Sequence, residues 1–118
     1  MTVSTQTTQR PRKPHWSLAR TWLLQPGVPD GADLFDAAVA GGADAVVLDI
    51  EDGLPDSQKA AGRAAVAEWL GGGHAWVRIN SVATAAWSAD LDAVAAAPGL
   101  RGVMLAKVES GDDIGEFI

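Results

Sequence analysis

Short apolar runs and helix-like segments alternate four times along the sequence, and this alternation restricts the fold more than any single motif. The apolar runs are Trp22–Leu24, the AVVLDI run that begins at Ala45, Ala75–Ile79 and Gly102–Ala106. One strand–helix unit therefore recurs about every 25–30 residues, with Gly- or Pro-containing turns between units. Repeated units of this kind predict a parallel β-sheet with right-handed crossover connections.

Two architectures fit this pattern: an open doubly wound sheet, or the first half of a (β/α)8 TIM barrel. A full barrel takes about 250 residues, whereas this chain has 118. The sequence ends at Phe117-Ile118 without a helix stop signal. We therefore expect residues 21–118 to form a partial barrel of about four βα units, truncated before its second half. Its two unpaired strand edges would need that half, or a partner, to cover them.

Residues 1–20 are expected to form a flexible basic tail. Four of the nine Lys and Arg residues lie there, and no acidic residue precedes Asp30. The tail lacks the apolar segment of a secretion signal, although its composition also suits an organellar transit peptide. No apolar run is long enough to cross a bilayer. We therefore expect a soluble, cytoplasmic protein with no membrane partner.

Composition removes several classes of function. The chain has no cysteine, which excludes disulfides, thiolate catalysis and cysteine-ligated zinc. The net charge is -6 although the tail is basic, so the folded part is strongly acidic. Because phosphate contacts need clustered Lys and Arg, this charge argues against a nucleic-acid partner.

Polar side chains collect where the predicted strands end, which is where parallel α/β folds place their sites. They are Asp49, Glu51 and Asp52 after the second strand, Arg78 and Asn80 after the third, and Lys107 and Glu109 after the fourth. Because side chains alternate along a strand, the members of the pairs 49/51, 78/80 and 107/109 should share a face. The sequence thus predicts a site at this end of the sheet.

Each of these residues also has a structural interpretation. Asp49 could form a buried ion pair with Arg78 or Lys107. Glu51 and Asp52 could cap the next helix, where anions are favourable. A buried guanidinium at Arg78 requires either a protein carboxylate or an anionic ligand, and Lys107 allows both interpretations as well.

Three further charged residues are ambiguous. Glu109 precedes a Ser-Gly-Asp-Asp helix-start signal, which favours a structural role. Lys59 and Arg63 lie four residues apart on a predicted helix, a spacing typical of a solvated face. Arg63 could instead turn back toward Asp49 or Glu51.

Three sequence blocks, GGADAVVLDIEDGLPDSQKAAGR, WVRIN and GVMLAKVES, form a pattern together with the spacing between them. From about Thr21 to Ile118 this pattern resembles the citrate lyase beta-subunit-like (HpcH/HpaI aldolase) family of CoA-ester lyases. The resemblance implies a (β/α)8 barrel, often a homotrimer, that cleaves or forms carbon–carbon bonds with Mg2+. The implied substrate is an acyl-CoA thioester or a small oxo acid.

The resemblance also implies roles for individual residues. Arg78 would hold the substrate carboxylate or carbonyl, Glu51 and Asp52 would line the mouth of the site and position water, and Lys107 and Glu109 match the family's fourth-strand block. Together with the strand-end pattern, this makes Arg78, Asn80 and Lys107 the candidate substrate-binding residues and Glu51 and Asp52 the candidate catalytic residues. Asp49, Arg63 and Glu109 are the candidate supporting or structural residues. The family's metal-ligating carboxylates come from later strands, beyond Ile118. No metal ligand is therefore expected in this chain, and the 118 residues alone should be inactive.

Two departures from the family pattern are present. Val28-Pro29-Asp30-Gly31 stands where an Arg-Pro pair is common, which puts coenzyme A contacts there in doubt. Ala106 replaces the proline that usually precedes the lysine of the fourth strand.

Two other functions remain open. A phosphoacceptor receiver domain would have this length and an aspartate at the position of Asp49, but Gln25-Pro26-Gly27 lacks the acidic pair that such domains need after the first strand. A non-catalytic barrel remnant that acts through oligomerisation would also have this sequence pattern.

Overall fold

The computed structural model describes His15 and residues 18–106. Most of the expected tail, and the helix expected to begin at Gly111, lie outside the described residues. The elements in chain order are β1 Trp22–Pro26, α1 Ala32–Ala40, β2 Ala45–Asp49, a 3-10 turn Asp56–Gln58 followed by α2 Lys59–Trp69, β3 Ala75–Ile79, α3 Ala86–Ala95 and β4 Leu100–Leu105. None of the helices in this part of the chain is both long enough and apolar enough to span a membrane.

The four strands form one parallel sheet in the order β1-β2-β3-β4. Each strand thus lies beside its predecessor, as in the first half of a (β/α)8 barrel. A doubly wound sheet would reverse its order, and in the receiver-type arrangement β1 would lie between β2 and β3. The half-barrel prediction is confirmed, and the doubly wound alternative is wrong for the described strands.

One face of the sheet packs against the three helices. The core residues there are Phe35, Ala38, Val46, Leu48, Ile50, Leu54, Val66, Leu70, Ala75, Val77, Ile79 and Val94. The strand members alternate, with even numbers on β2 and odd numbers on β3, as a pleated strand requires. Burying each large aliphatic side chain contributes about 1.5–3 kcal/mol, so this layer holds the helices on the sheet.

The other face of the sheet carries two tryptophans. Trp22 and Trp76 meet edge to face, with ring centroids 5.3 Å apart and ring planes at 67°. β1 is an edge strand, and Trp22, Leu23 and Leu24 are 38%, 41% and 43% exposed. Apolar side chains on both faces of β1 are therefore left partly in contact with water.

A close approach of backbones sets the position of α2. A Cβ atom at Gly62 would lie 2.4 Å from the carbonyl oxygen of Gly27 and 2.3 Å from Cδ1 of Leu54. Only glycine lets α2 pack this near to the end of β1. The same contact places the first turns of α2, including Lys59 and Arg63, beside the carboxyl ends of the strands.

Candidate active site

The centre of the site is an ion pair between Asp49 and Arg78. The guanidinium Nη2 donates to Oδ2 of Asp49 at 2.5 Å, and Nε donates to Oδ1 at 3.1 Å. The two residues are register partners on the adjacent strands β2 and β3, which explains why they meet. This bidentate geometry orients the guanidinium as well as binding it. It is the ion pair that the sequence offered as one interpretation of Asp49.

Glu51 lies beside the same guanidinium group. Its Oε1 is 3.7 Å from Nη2 of Arg78, and its backbone N–H donates to Oδ1 of Asp49 at 2.9 Å. The hydrogen bonding that Arg78 donates to the Asp49 carboxylate is the largest cause that raises the pKa of Arg78 above its usual value. The charges of Asp49, Glu51 and Asp52 add to it, and burial opposes it. Arg78 is therefore a permanent cation, and 24% of its side chain remains exposed to solvent.

The turn that follows β2 folds closely over the Asp49 carboxylate. A Cβ atom at Gly53 would lie 3.0 Å from both the backbone oxygen and Oδ2 of Asp49. Sequence reasoning missed this role of Gly53, although a glycine directly after three acidic positions was a usable signal. Asp52, on the same turn, is exposed at the mouth of the site.

Asn80 belongs to a second polar cluster. Its Nδ2 donates to the carbonyl oxygen of Ile50 at 3.1 Å and to Oδ2 of Asp90 at 2.6 Å, and its Oδ1 accepts from Nζ of Lys59 at 2.6 Å. The expectation that Asn80 acts beside Arg78 rested on strand alternation. Because β3 ends at Ile79, that alternation does not extend to Asn80, whose side chain contacts α2 and α3 instead.

Asp90 on α3 is the fully buried acid of this cluster. Its Oδ1 accepts from Nε of Arg63 at 2.8 Å, and its Oδ2 also accepts from the backbone N–H of Asn80 at 2.9 Å. The structure thus gives Arg63 a different partner from Asp49, Glu51 or solvent, because α2 packs beside α3. Sequence reasoning missed Asp90. The available signal was a carboxylate on the apolar stripe formed by Trp87, Leu91 and Val94.

The described residues do not fit a magnesium ion by themselves. Both oxygens of Asp49 accept guanidinium hydrogens, and Glu51 faces the same positive charge. Within His15 and residues 18–106, no group of three or more His, Asp or Glu side chains could hold a metal. Mg2+ needs a nearly octahedral set of oxygen ligands, which this arrangement does not supply. Lys107 and Glu109 lie outside the described residues.

The chain is similar in sequence to a family of known proteins. The profile of the HpcH/HpaI aldolase/citrate lyase family matches residues 28–117. Citrate lyase subunit beta-like proteins of two Mycobacterium tuberculosis strains, CDC 1551 and H37Rv, are 40% identical to the chain over 97 residues. That match covers 81% of this chain and 34% of each relative, so the chain spans about a third of their length.

Solved structures of citrate lyase beta subunits share the fold. The M. tuberculosis protein complexed with oxaloacetate and magnesium superposes with a TM-score of 0.69 at 36% identity, covering 85% of this chain and 44% of that one. CitE of M. tuberculosis with magnesium, acetoacetate and coenzyme A gives 0.68 at 37% identity, covering 84% and 36%. The chain belongs to the HpcH/HpaI aldolase/citrate lyase family.

Proposed function

We propose that this chain supplies the arginine-bearing half of the active site of a Mg2+-dependent carbon–carbon lyase. The substrate would be an acyl-CoA thioester or a small oxo acid. The observation that carries the proposal is the Asp49–Arg78 pair, which holds a partly exposed guanidinium in one orientation at the carboxyl ends of β2 and β3. Active sites of barrel enzymes lie at that end.

The geometry leaves part of Arg78 available for a ligand. Its two hydrogen bonds use Nε and one hydrogen of Nη2, so both hydrogens of Nη1 remain available to donate to a substrate oxygen. The solved relatives contain oxaloacetate, pyruvate or acetoacetate, all of which are oxo acids. A guanidinium recognises such carboxylate and carbonyl oxygens well.

Lyase chemistry needs positive charge at this place. In a retro-aldol or Claisen-type cleavage, the hydroxyl group of the substrate gives its proton to a base and becomes a carbonyl as the carbon–carbon bond breaks. The bonding electron pair passes to the carbonyl oxygen of the other fragment, giving an enolate that is then protonated. Arg78 would stabilise that oxygen, with Glu51 ordering the guanidinium and Asp52 lining the entrance. Bound Mg2+ would supply further Lewis acidity, and we place its ligands beyond Ile118, outside this chain. The 118 residues alone would therefore be inactive.

A chimera tests this proposal. Residues 21–118 would replace the matching segment of the M. tuberculosis citrate lyase subunit beta-like protein. The chimera, and the 118-residue chain in parallel, would be incubated with Mg2+ and a panel of β-hydroxyacyl-CoA thioesters, with products identified by mass spectrometry. We expect cleavage by the chimera and none by the chain alone.

The matched variants are Arg78→Met and Arg101→Met, which remove the same charge from opposite ends of the sheet. Loss of an electrostatic contact to the developing charge should lower kcat about 100–1,000-fold for Arg78→Met, and Arg101→Met should keep full activity. A chimera that folds but cleaves nothing contradicts the lyase assignment. Cleavage by the chain alone contradicts its proposed inactivity.

A second candidate, a non-catalytic half-barrel that works through self-association, is favoured by the exposed apolar residues of β1. Association would cover Trp22, Leu23 and Leu24. The oligomer expected from the family resemblance is a homotrimer. Sedimentation velocity of the chain at several concentrations would test for it. Stable trimers together with an inactive chimera would favour this candidate over the lyase.

A further inference from the structure

Lys59 is a second cation at the carboxyl ends of the strands, and its charge has little compensation from the protein. Its Nζ lies 2.6 Å from Oδ1 of Asn80, which is a neutral acceptor. The carboxylate paired with it is Asp56, 3.7 Å away and fully exposed, so solvent screens their attraction. Only 17% of the Lys59 side chain is exposed. The ammonium group is thus partly desolvated, and its counter-ion among residues 18–106 is a fully exposed carboxylate.

The orientation of the Asn80 amide is fixed by its neighbours. Both hydrogens of Nδ2 are used, one on the carbonyl oxygen of Ile50 and one on Asp90. Oδ1 must then face Lys59, and Asn80 has no side-chain donor left for a ligand. Arg63 holds Asp90 from the other side at 2.8 Å. Lys59 is the outermost member of this cluster. Its ammonium group has three N–H donors, and one of them is directed at Asn80.

Lys59 stands at the same end of the sheet as Arg78. Asn80 contacts the carbonyl oxygen of Ile50, one residue past β2, and follows Arg78 by two residues, about 7 Å along an extended chain. Lys59 therefore lies over the ends of β2 and β3. Two cations from different elements therefore lie at that end of the sheet, one from a strand and one from the start of α2.

We propose that Lys59 binds an anionic oxygen of the ligand, and that Asn80 and Asp90 are positioning residues for its ammonium group. This inference rests on the proposed function, because it concerns the same ligand. The matching group is a carboxylate or a phosphate, since a lysine ammonium acts as a point charge toward either. In a CoA ester the phosphates lie on the coenzyme, and in an oxo acid the carboxylate lies on the reacting part.

Calorimetric titration of the 118-residue chain with acetoacetate and, separately, with coenzyme A tests the proposal. Lys59→Met should weaken binding of at least one ligand about 10-fold or more, the loss expected for one charge-assisted hydrogen bond. A loss confined to coenzyme A identifies a phosphate, and a loss confined to acetoacetate identifies a carboxylate. Lys59→Arg, which keeps the charge, should retain most of the affinity, and Arg101→Met should bind as the wild type does.

Ionic strength separates an electrostatic role from a structural one. Wild-type affinity should fall as salt rises, and Lys59→Met should show a shallower dependence. Asn80→Ala should lose affinity by a smaller factor and keep the wild-type salt dependence, because the Lys59 charge remains. Urea unfolding of each variant would establish that it is folded under the titration conditions.

Several outcomes would overturn the proposal. They are wild-type affinity of folded Lys59→Met for both ligands, equal losses in the Met and Arg variants, and no binding of either ligand by the folded wild-type chain. Failure here is distinct from failure of the proposed function. If Arg78→Met abolishes cleavage by the chimera while Lys59→Met does not weaken binding, the lyase proposal stands and the role of Lys59 falls.

Discussion

Replacement of Asp90 by alanine should destabilise the chain more than any other single loss of a carboxylate in residues 18–106. Asp90 is fully buried and accepts three hydrogen bonds, from Arg63, from the backbone of Asn80 and from its amide. Alanine would leave all three donors without their acceptor. Asn80 is itself buried, so its two donors could not turn to water.

The magnitude follows from these contacts. Removing one partner of a buried ion pair costs about 3–5 kcal/mol. Arg63 keeps 22% of its side chain exposed and can be partly rehydrated, so we expect a loss near the lower end of that range. Even about 3 kcal/mol is a large part of the 5–15 kcal/mol that stabilises a typical domain.

Urea unfolding followed by circular dichroism measures this loss. With an m value of about 1.5–2 kcal/mol per molar, the midpoint should fall by roughly 2 M. The matched control is Asp92→Ala, which removes an exposed carboxylate from the same helix and should change stability by less than about 0.5 kcal/mol. If Asp90→Ala does not fold, Asp90→Asn serves as the test. Its free energy of unfolding should fall by about 1–3 kcal/mol, because the NH2 group of asparagine would face the N–H donors that the carboxylate accepted from. A change below about 1 kcal/mol in Asp90→Ala would refute the reasoning.

Two further predictions concern close packing and pH. Gly99→Ala should destabilise the chain by at least about 1–3 kcal/mol, because its Cβ would lie 1.6 Å from the carbonyl oxygen of Gly73. Gly72→Ala, with no heavy atom within 4 Å of its Cβ, should be nearly neutral in the same urea assay, and equal effects of the two would contradict this packing. Asp49 raises the pKa of Arg78 in the folded chain. The stability that this ion pair contributes is therefore fully present below the pKa of Arg78 in the unfolded chain, and it is lost only as the pH rises past the pKa of Arg78 in the folded chain. The difference in acetoacetate affinity between the wild-type chain and Arg78→Met should therefore stay constant from about pH 7 to about pH 10. A change in this difference within that interval would contradict the reasoning.

The sequence predicted the sheet well because its signals are local. Ala75–Ile79 was predicted and observed with the same bounds, and Asp49 meets Arg78 because the two lie opposite each other on neighbouring parallel strands. β1 was predicted to stop at Leu24, before a Gln-Pro-Gly turn signal, but it continues to Pro26. Proline lacks an N–H donor and is tolerated there because β1 is an edge strand.

The second polar cluster could not be predicted in the same way. The meeting of Asp49 and Arg78 depends only on neighbouring strands that end together. The meeting of Asp90 with Arg63 depends on how α2 and α3 lie against each other, which no short pattern in either helix specifies. A charged residue on an apolar stripe indicates that a buried partner exists, and the packing of the helices decides which residue it is.

Among residues 18–106, the three cations at this end of the sheet differ in how far the protein neutralises them, and this difference predicts their roles. Arg63 is paired with a fully buried carboxylate, Arg78 is bound along one edge by Asp49, and Lys59 has a neutral amide as its close partner. A charge that the fold neutralises stabilises the fold, and a charge left over is available to a ligand. Methionine substitutions should therefore reduce stability in the order Arg63, Arg78, Lys59, while only the last two weaken ligand binding. Urea unfolding and calorimetry on the same three variants would measure both orders, and a binding loss in folded Arg63→Met equal to that in Lys59→Met would contradict this division.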